Sequence, residues 1–257
     1  MRTVYPTLER FLPRFLHKRL FGDRKRWGGE VDANDPDWKA WLDAYVYFYD
    51  ENQKKGVGKR VNDAGYAILR QVDLNGKRVL EIGPGKLPHA AFWSGRPSHF
   101  TVADIHAEFL TASVEILSRM GVPADAVQSS ADRLTLLDAQ FDIVISFYSL
   151  EHIVQLDAFV DEIRRVLRPG GLLVGGIPCE GGFVWGLGRY LTSRRYVRKF
   201  LKFDYDKIIC WEHPNFAKRV LATLDAKFTP RTQEYWPLKL PLLDLNLICR
   251  FVYVKSP

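Results

Sequence analysis

The stretch Val79-Leu80-Glu81-Ile82-Gly83-Pro84-Gly85-Lys86-Leu87-Pro88 decides how this chain folds. Its first half has the apolar pattern of a β-strand, and its second half is a turn with two glycines. Because glycine lacks a Cβ atom, such a turn can be tight and a ligand can approach its backbone closely. We expect a helix over 87–94 to follow, whose first amide groups would offer a site for a carboxylate or phosphate. The stretch therefore predicts a ligand site at the end of a strand.

On both sides of this stretch, the sequence predicts an α/β fold. Short apolar runs alternate with segments of helical period, which is typical of a parallel sheet covered by helices. The predicted strands are 78–82, 100–103, one near Val127, 141–146 and 172–177, and the predicted helices are 87–94, 106–120, 132–138 and 156–168. After a further helix over 214–226, strand patterns over 229–236 and 245–254 predict an antiparallel pair at one edge of the sheet.

The region before the sheet has a helical pattern. Apolar residues recur at three- and four-residue spacing in the first 26 residues, where Pro13 should interrupt or restart the helix. Further helices are predicted over 36–51 and 57–72. We divide the chain into an N-terminal helical extension, 1–72, and an α/β domain, 73–257, with a lid insertion at 178–212.

Composition and cysteine content exclude several classes of protein. The 257 residues are 47% hydrophobic and 26% charged, which excludes a disordered tail or a fibre. The three cysteines, Cys179, Cys210 and Cys249, lack metal-ligand spacing, so we predict buried free thiols and no metal site. The sequence has no apolar run that could span a bilayer and no signal-peptide core, which predicts a cytoplasmic protein.

The formal net charge of +7 is concentrated in two segments. Residues 1–26 hold eight lysines and arginines against two acidic residues, and 189–202 holds six cations among aromatic residues with no acidic residue. The first segment is amphipathic and indicates contact with the inner face of an anionic membrane, with a lid helix or a flexible arm as alternatives. The second segment suits an anionic acceptor, with a solvated helix face as the alternative.

Two classes of nucleoside cofactor bind at glycine-rich turns of this kind. A dinucleotide site has the pattern G-x-G-x-x-G, but Pro88 stands where the third glycine would be. Asp104 ends the second predicted strand, where a carboxylate can accept hydrogen bonds from both ribose hydroxyls of either cofactor. The sequence therefore indicates a nucleoside ligand and disfavours a dinucleotide.

From about residue 77 to the C-terminus, the chain resembles the class I S-adenosylmethionine-dependent methyltransferases. The segment 81–85 is similar to the family's acidic-x-Gly-x-Gly loop, Asp104 to its ribose carboxylate, and 130–132 to the segment that meets the adenine amino group. The segment 141–153 is similar to the fourth strand and its turn, and 163–171 to the helix and turn before the fifth strand. One departure is Leu87, because the family often has a third glycine there.

The resemblance implies a fold, a cofactor and a set of site residues. The fold is a Rossmann-like, doubly wound, mostly parallel seven-stranded sheet with a terminal antiparallel strand pair, and the cofactor is S-adenosyl-L-methionine. The implied cofactor-binding residues are Glu81, Gly83, Pro84, Gly85, Asp104, Ile105, Ala131, Asp132, Ser146 and Phe147.

Two histidines are candidate catalytic bases on the acceptor side. His152 follows the fourth strand, and we expect His213 to begin the helix after the insertion. A base raises the rate of methyl transfer when the acceptor is a hydroxyl. The structural alternatives are that His152 orders its loop and His213 caps a helix. Glu151 and Glu212 are weaker candidates.

The function predicted from these residues is O-methylation of a small molecule or glycan, anionic or lipid-linked, in cell-envelope synthesis. The Asn/Asp-Pro-Pro-Tyr/Phe sequence of exocyclic-amine methyltransferases is absent after the fourth strand, where 146–149 is Ser-Phe-Tyr-Ser. One alternative is an RNA methyltransferase that uses the basic segments for phosphate contacts, although the near-neutral remainder of the chain makes nucleic acid an unfavoured partner. Another alternative is a catalytically silent binding protein with the same fold.

Overall fold

Seven strands form one mixed sheet in the computed structural model, which describes residues 5–48, 56–129 and 134–256. The strands are β1 (Arg78–Ile82), β2 (His99–Asp104), β3 (Ala124–Gln128), β4 (Phe141–Phe147), β5 (Leu167–Pro178), β6 (Thr229–Trp236) and β7 (Ile248–Val254). Their order across the sheet is β3-β2-β1-β4-β5-β7-β6. Strands β1 to β5 are parallel, and β7 is antiparallel to both β5 and β6. The predicted fold class is confirmed.

Ten α-helices surround this sheet within the described residues. They are α1 (Arg14–Phe21), α2 (Arg24–Trp27), α3 (Pro36–Phe48), α4 (Gly56–Tyr66), α5 (Ala107–Arg119), α6 (Leu156–Val166), α7 (Phe183–Leu191), α8 (Ser193–Tyr196), α9 (Tyr205–Glu212) and α10 (Ala217–Lys227). Helix α1 begins directly after Pro13, as the sequence predicts. Among the described helices, none combines the length and the apolar character needed to cross a membrane.

The sheet separates two apolar layers. In β1, Leu80 and Ile82 belong to the layer that contains α6 and α10, while Val79 points to the opposite layer with α5. This alternation is the period of two that a strand imposes on its side chains. The two layers cover both faces of the central strands, so a ligand can reach these strands at the edge formed by their carboxyl ends.

The N-terminal helices and the insertion pack together as a cap. A third apolar cluster joins Trp41 of α3 to Tyr205, Ile209 and Trp211 of α9. Helix α1 also contacts α7 and α9, whereas α4 packs against β5 and β7 of the sheet. The cap consists of α1 to α3 together with residues 183–212. The N-terminal extension is therefore divided between the cap and the sheet, because α4 packs on the sheet. The domain boundary at residue 72 stays a prediction.

Two predicted helices in the α/β domain are wrong. The segment 87–94 contains a short 3-10 helix, Ala90–Phe92, in place of an α-helix. Leu87 has a left-handed backbone with φ of 48° and Pro88 follows it, so a helix cannot start there. Residues 134–138 are not helical either, and the rest of the predicted helix 132–138 lies outside the described residues.

Candidate active site

The glycine turn lies where three parallel strands end. Ile82, the last residue of β1, pairs with Ala103 of β2 on one side and with Ser146 of β4 on the other. The strand order reverses between these neighbours, and such a switch point opens a crevice at the carboxyl ends of the strands. Glu81 and Asp104 therefore lie at the same edge of the sheet.

Gly83 has a conformation and surroundings that require glycine. Its φ is 70°, and its amide donates a hydrogen bond to the Ala103 carbonyl at 2.9 Å. A Cβ atom on Gly83 would lie 2.4 Å from Oγ of Ser149, which donates to the Ile82 carbonyl at 3.2 Å. The backbone of the turn is thus held against the loop that follows β4.

A buried histidine orients Glu81. Nε2 of His89 lies 2.5 Å from Oε1 of Glu81, and both side chains are 1% exposed. Nε1 of Trp93 donates to Nδ1 of His89 at 3.0 Å, so the proton of a neutral His89 is on Nε2 and is donated to Glu81. The second oxygen of Glu81, Oε2, is buried and has no hydrogen-bond partner among the described residues. A buried carboxylate oxygen of this kind can accept a hydrogen bond from a ligand.

The predicted cofactor residues that follow the glycine turn differ in burial. Asp104 is partly buried, its Oδ1 accepts the His106 amide at 2.8 Å, and burial raises its pKa. Ile105 is 57% exposed, whereas Ser146 and Phe147 are buried at the end of β4. Oγ of Ser146 has no hydrogen-bond partner in the described chain. Ala131 and Asp132 lie outside the described residues, so their predicted contact with adenine stays a prediction.

The two candidate bases are in contact with each other. The ring centroids of His152 and His213 are 4.4 Å apart, and the rings meet edge to face. His152 belongs to the 3-10 turn Leu150–His152 after β4. His213 follows the last residue of α9, so the expectation that it begins a helix is wrong. Pro214 directly after His213 is compatible with the end of that helix.

Two residues that the sequence analysis did not select hold His213. Nδ1 of His213 is hydrogen-bonded to Oε2 of Glu180, whose side chain is fully buried. Oε1 of Glu180 accepts Nη2 of Arg24 at 2.9 Å, and Nη1 of Arg24 donates to the His213 carbonyl. An arginine from the N-terminal helices thus fixes the carboxylate that fixes the imidazole.

The environment pushes the pKa values of these groups apart. Burial alone would lower the pKa of His213, but the negative charge of Glu180 and its hydrogen bond raise this pKa to about 9. Burial and the neighbouring His213 hold the pKa of His152 well below its usual value. Burial also raises the pKa of Glu151 to about 7 and that of Glu212 to about 8. At neutral pH, His213 is a cation and His152 is neutral.

These groups, which we call the Glu/His cluster, are Glu151, His152, Glu180, Glu212 and His213. Side-chain ligand atoms of His152, Glu212 and His213 lie within 4.8 Å of one another, a grouping that could hold a metal ion. The same arrangement is also suited to accepting and sharing protons, because carboxylates with a pKa near the working pH are efficient general bases.

The basic run of the insertion is partly structural. Arg189 is buried and donates to the carbonyls of Arg19 and Leu20, while it also pairs with Asp206 at 3.2 Å. Arg194 forms a two-pronged ion pair with Asp206. These two cations hold the insertion together and bind it to α1, so they are not available for an anionic acceptor.

Sequence comparison places the central part of the chain in a known family. Residues 80–175 match the sequence profile of the family described as "Methyltransferase domain". The chain is 31% identical over 135 residues to a fatty-acid O-methyltransferase of Mycolicibacterium smegmatis, in an alignment that covers 49% of this chain and 48% of the relative. It is 32% identical over 104 residues to a ubiquinone/menaquinone biosynthesis C-methyltransferase of Vibrio vulnificus. That alignment covers 38% of this chain and 40% of the relative.

The chain thus spans about half or less of the length of the curated relatives that it matches. Among solved structures, a SAM dependent methyltransferase from Aquifex aeolicus has the same fold, with a TM-score of 0.54 at 14% identity. The superposition covers 83% of this chain and 98% of that chain. The profile match over 80–175 and the sheet topology agree with the glycine turn and its carboxylates, and together they support a class I S-adenosylmethionine-dependent methyltransferase.

Proposed function

We propose that the protein transfers the methyl group of S-adenosylmethionine to a hydroxyl of a small molecule or glycan that is carried on a lipid. One observation carries the proposal: the Glu/His cluster follows the carboxyl ends of β4 and β5, next to the glycine turn that ends β1. A cofactor site and a set of proton acceptors thus share one edge of the sheet.

The residues around the turn fit the cofactor. A buried Glu81 with one unpartnered oxygen can accept hydrogen bonds from an ammonium group, and a half-buried Asp104 can accept them from ribose hydroxyls. Gly83 lets the turn pack directly against Ser149, because a Cβ atom there would clash with the Ser149 hydroxyl, and this contact fixes the backbone beside the cofactor residues. When bound, S-adenosylmethionine supplies an electrophilic methyl carbon on a sulfonium.

We assign the proton-transfer role to the Glu/His cluster. An acceptor hydroxyl loses its proton as the new bond forms, and His152, neutral at working pH, or a carboxylate of Glu151 or Glu212 can take it. His213, held as a cation by Glu180, can donate a hydrogen bond to the acceptor or stabilise its developing negative charge. Holding both reactants in place contributes on the order of 7–11 kcal/mol to such a reaction.

The proton acceptors of the cluster favour a hydroxyl over a carboxylate as the methyl acceptor. Glu151 and Glu212 are buried beside the two histidines and have raised pKa values, so they can take the proton of a hydroxyl, a proton that an ionised carboxylate acceptor does not carry. The M. smegmatis relative is named for an O-methyl reaction on a fatty acid, and the V. vulnificus relative for a C-methyl reaction. Both names support a lipid-like or small acceptor. Because the two names differ in the atom that is methylated, methylation on oxygen is part of our proposal.

The test combines cofactor binding with a search for the product. Isothermal titration should detect binding of S-adenosylmethionine. Mass spectrometry of lipid and water-soluble extracts, incubated with the protein and an isotopically labelled methyl donor, should then show one labelled lipid-fraction species. Acid hydrolysis of that species should leave the label on oxygen. Binding without any labelled product would favour a silent binding protein, and labelled RNA would favour an RNA methyltransferase.

A further inference from the structure

We propose that a composite apolar surface, formed by the cap and the two segments beside it, docks on an anionic lipid bilayer. This surface, called here the apolar face, consists of the segments 8–15, 183–191 and 238–245. Of the seventeen exposed large hydrophobic side chains in the described part of the chain, ten lie on these three segments. The most prominent are Phe11 at 70%, Phe15 at 61% and Leu238 at 53% exposed. Concentrated apolar exposure on this scale marks an interaction surface.

Two hydrogen bonds and a close helix contact hold the three segments side by side. Oδ2 of Asp244 accepts the Leu8 amide at 2.8 Å, and Oδ1 of the same carboxylate accepts the Phe183 amide at 3.0 Å. Helix α1 packs closely on α7, because a Cβ atom on Gly186 would lie 2.6 Å from the ring of Phe21. One carboxylate and one helix contact therefore join segments that are far apart in sequence into a single surface.

The exposed side chains form stripes on their helices. Phe183, Leu187 and Leu191 are spaced four residues apart along α7 and are 38%, 39% and 45% exposed. Residues at this spacing lie on one face of a helix. Gly186 and Arg189, on the opposite face of α7, are buried against α1. Helix α7 therefore has a packed inner face and an apolar outer face that the described chain does not cover.

The charges around the apolar face indicate what kind of partner binds there. Arg10, Arg14, Arg19 and Lys239 are exposed, and no ion pair to any of them is found within the described residues. The nearby acidic groups are already engaged, since Glu9 pairs with Lys218 and Asp244 accepts two amides. Apolar side chains bordered by cations suit the interface of an anionic bilayer. A second copy of the chain would bring these cations together and is disfavoured.

The apolar face is linked to the candidate active site through the chain itself. Phe183 comes three residues after Glu180, and Arg24, which holds Glu180, comes three residues after the last residue of α1. A docked cap would thus present the Glu/His cluster to an acceptor carried in the membrane. This last step rests on the proposed function, whereas the docking itself does not.

The experiment is co-sedimentation of the full chain with vesicles, with no methyl donor present. One vesicle population is pure phosphatidylcholine and the other is an equal mixture of phosphatidylcholine and phosphatidylglycerol. We expect the protein to bind the mixed vesicles, with binding weakened by salt. The double variant Phe11→Ser/Phe15→Ser should lower the apparent partition coefficient at least about tenfold, since two exposed rings no longer enter the interface.

Two further variants test whether the surface is composite. Leu187→Ser/Leu191→Ser alters α7 alone and should weaken vesicle binding as strongly as the change at 11 and 15. Leu137→Ser is the matched control, because Leu137 is 76% exposed but lies outside the apolar face, and it should bind as the wild type does. Circular dichroism should show that all variants remain folded.

Three results would overturn the proposal. They are equal binding to both vesicle types, unchanged binding of both double variants, and self-association of the wild type through this face without vesicle binding. Because no methyl donor is used, failure of docking leaves the cofactor titration as a separate test of the proposed function. A protein that docks but does not bind S-adenosylmethionine would fail the latter test alone.

Discussion

Asp104 is a partly buried carboxylate at the end of β2, and burial raises its pKa. We expect Asp104→Ala to weaken binding of S-adenosylmethionine by about 1–3 kcal/mol, because charge-assisted hydrogen bonds to the ribose are lost. Isothermal titration measures this change. Asp125→Ala is the control, since Asp125 is an exposed carboxylate on the neighbouring strand β3 that pairs with His99. Equal affinity of the Asp104 variant and the wild type would place the nucleoside elsewhere.

Glu180 governs the charge of His213. The negative charge and hydrogen bond of Glu180 oppose the effect of burial and raise the pKa of His213 to about 9. The variant Glu180→Gln keeps the shape of the side chain but removes its charge. We expect the titration midpoint of the His213 imidazole, followed by nitrogen NMR, to fall by at least about one unit, which corresponds to about 1.4 kcal/mol. Methyl transfer should also slow.

A midpoint that stays near 9 in this variant would assign the effect to Glu212 and Glu151, the other carboxylates that raise the pKa of His213. The matched change Glu115→Gln, on the exposed side of α5, should leave the midpoint where it is in the wild type. The pair of variants thus separates a specific contact from the general charge of the protein.

Single residues differ in how far the sequence predicts their roles. The sequence predicts Asp104 and His152 because one ends and the other follows an apolar strand, and parallel strands bring such ends together. The resemblance to the methyltransferase loop predicts Glu81. Arg24 and Glu180 are not predicted, because they are 156 residues apart and meet only when the N-terminal helices pack on the insertion. His89 is near Glu81 in sequence, eight residues later, but its hydrogen bond to Glu81 depends on a loop whose shape the sequence does not predict.

The turn after β1 is the first element whose shape can be tested. Gly83 has a φ of 70°, and a Cβ atom there would lie 2.4 Å from Oγ of Ser149. We expect Gly83→Ala to destabilise the fold by about 1–3 kcal/mol, from backbone strain and the clash, and to reduce cofactor affinity. Chemical denaturation and isothermal titration measure the two effects. Gly170→Ala is the control, since its φ is 74° but no atom lies within 4 Å of its Cβ position.

Two members of the Glu/His cluster at the end of α9, Glu212 and His213, should make the free energy of unfolding depend on pH. The pKa of Glu212 is raised to about 8 by burial, so between about 4.5 and 8 the folded state binds more protons than the unfolded state. Stability therefore falls as pH rises through that window. The pKa of His213 is raised to about 9, so its contribution is fully present below about 6.5 and is lost as pH rises through 9. Both effects have the same sign.

We expect the free energy of unfolding of the wild type to fall by on the order of a few kcal/mol between about pH 6 and about pH 9. The melting temperature should fall with it. Glu212→Gln mimics the protonated side chain and should make this decrease smaller. Thermal melts followed by circular dichroism across the pH range measure the slope. An unchanged slope in the Gln variant would show that Glu212 is already ionised in the folded protein across this pH range.

Elements are predicted well where apolar periodicity dominates. The strand 78–82 has the bounds that the sequence predicts, because a buried strand is a continuous apolar run. The bounds of 229–236 also match, although all but one residue of this edge strand are exposed or half-buried. The helix predicted over 87–94 is absent, since the left-handed Leu87 and Pro88 outweigh its apolar spacing. Helical period in the insertion could not reveal that α7 and α9 pack on α1 to α3, because those contacts depend on tertiary structure.

At the scale of the whole molecule, we expect that the cap can be destabilised without unfolding the sheet. Trp41 is 2% exposed and lies in the apolar cluster that joins α3 to α9, with its ring 6.0 Å from those of Phe203 and Tyr205. We expect Trp41→Ala to destabilise the cap by about 3–5 kcal/mol, because a large buried ring leaves a cavity. Hydrogen exchange should then be faster over 183–212 than in the wild type.

The same variant tests which half of the active site belongs to which part of the fold. The cofactor residues Glu81, Gly83 and Asp104 lie on the sheet, whereas Arg24, Glu212 and His213 come from the cap. Trp41→Ala should therefore keep its affinity for S-adenosylmethionine within about threefold, a change of less than 1 kcal/mol, while methyl transfer is lost. Leu42→Ala, at a 51% exposed position of the same helix, should leave both properties unchanged. Loss of cofactor affinity in step with the faster exchange of 183–212 would show that cap and sheet form one cooperative unit.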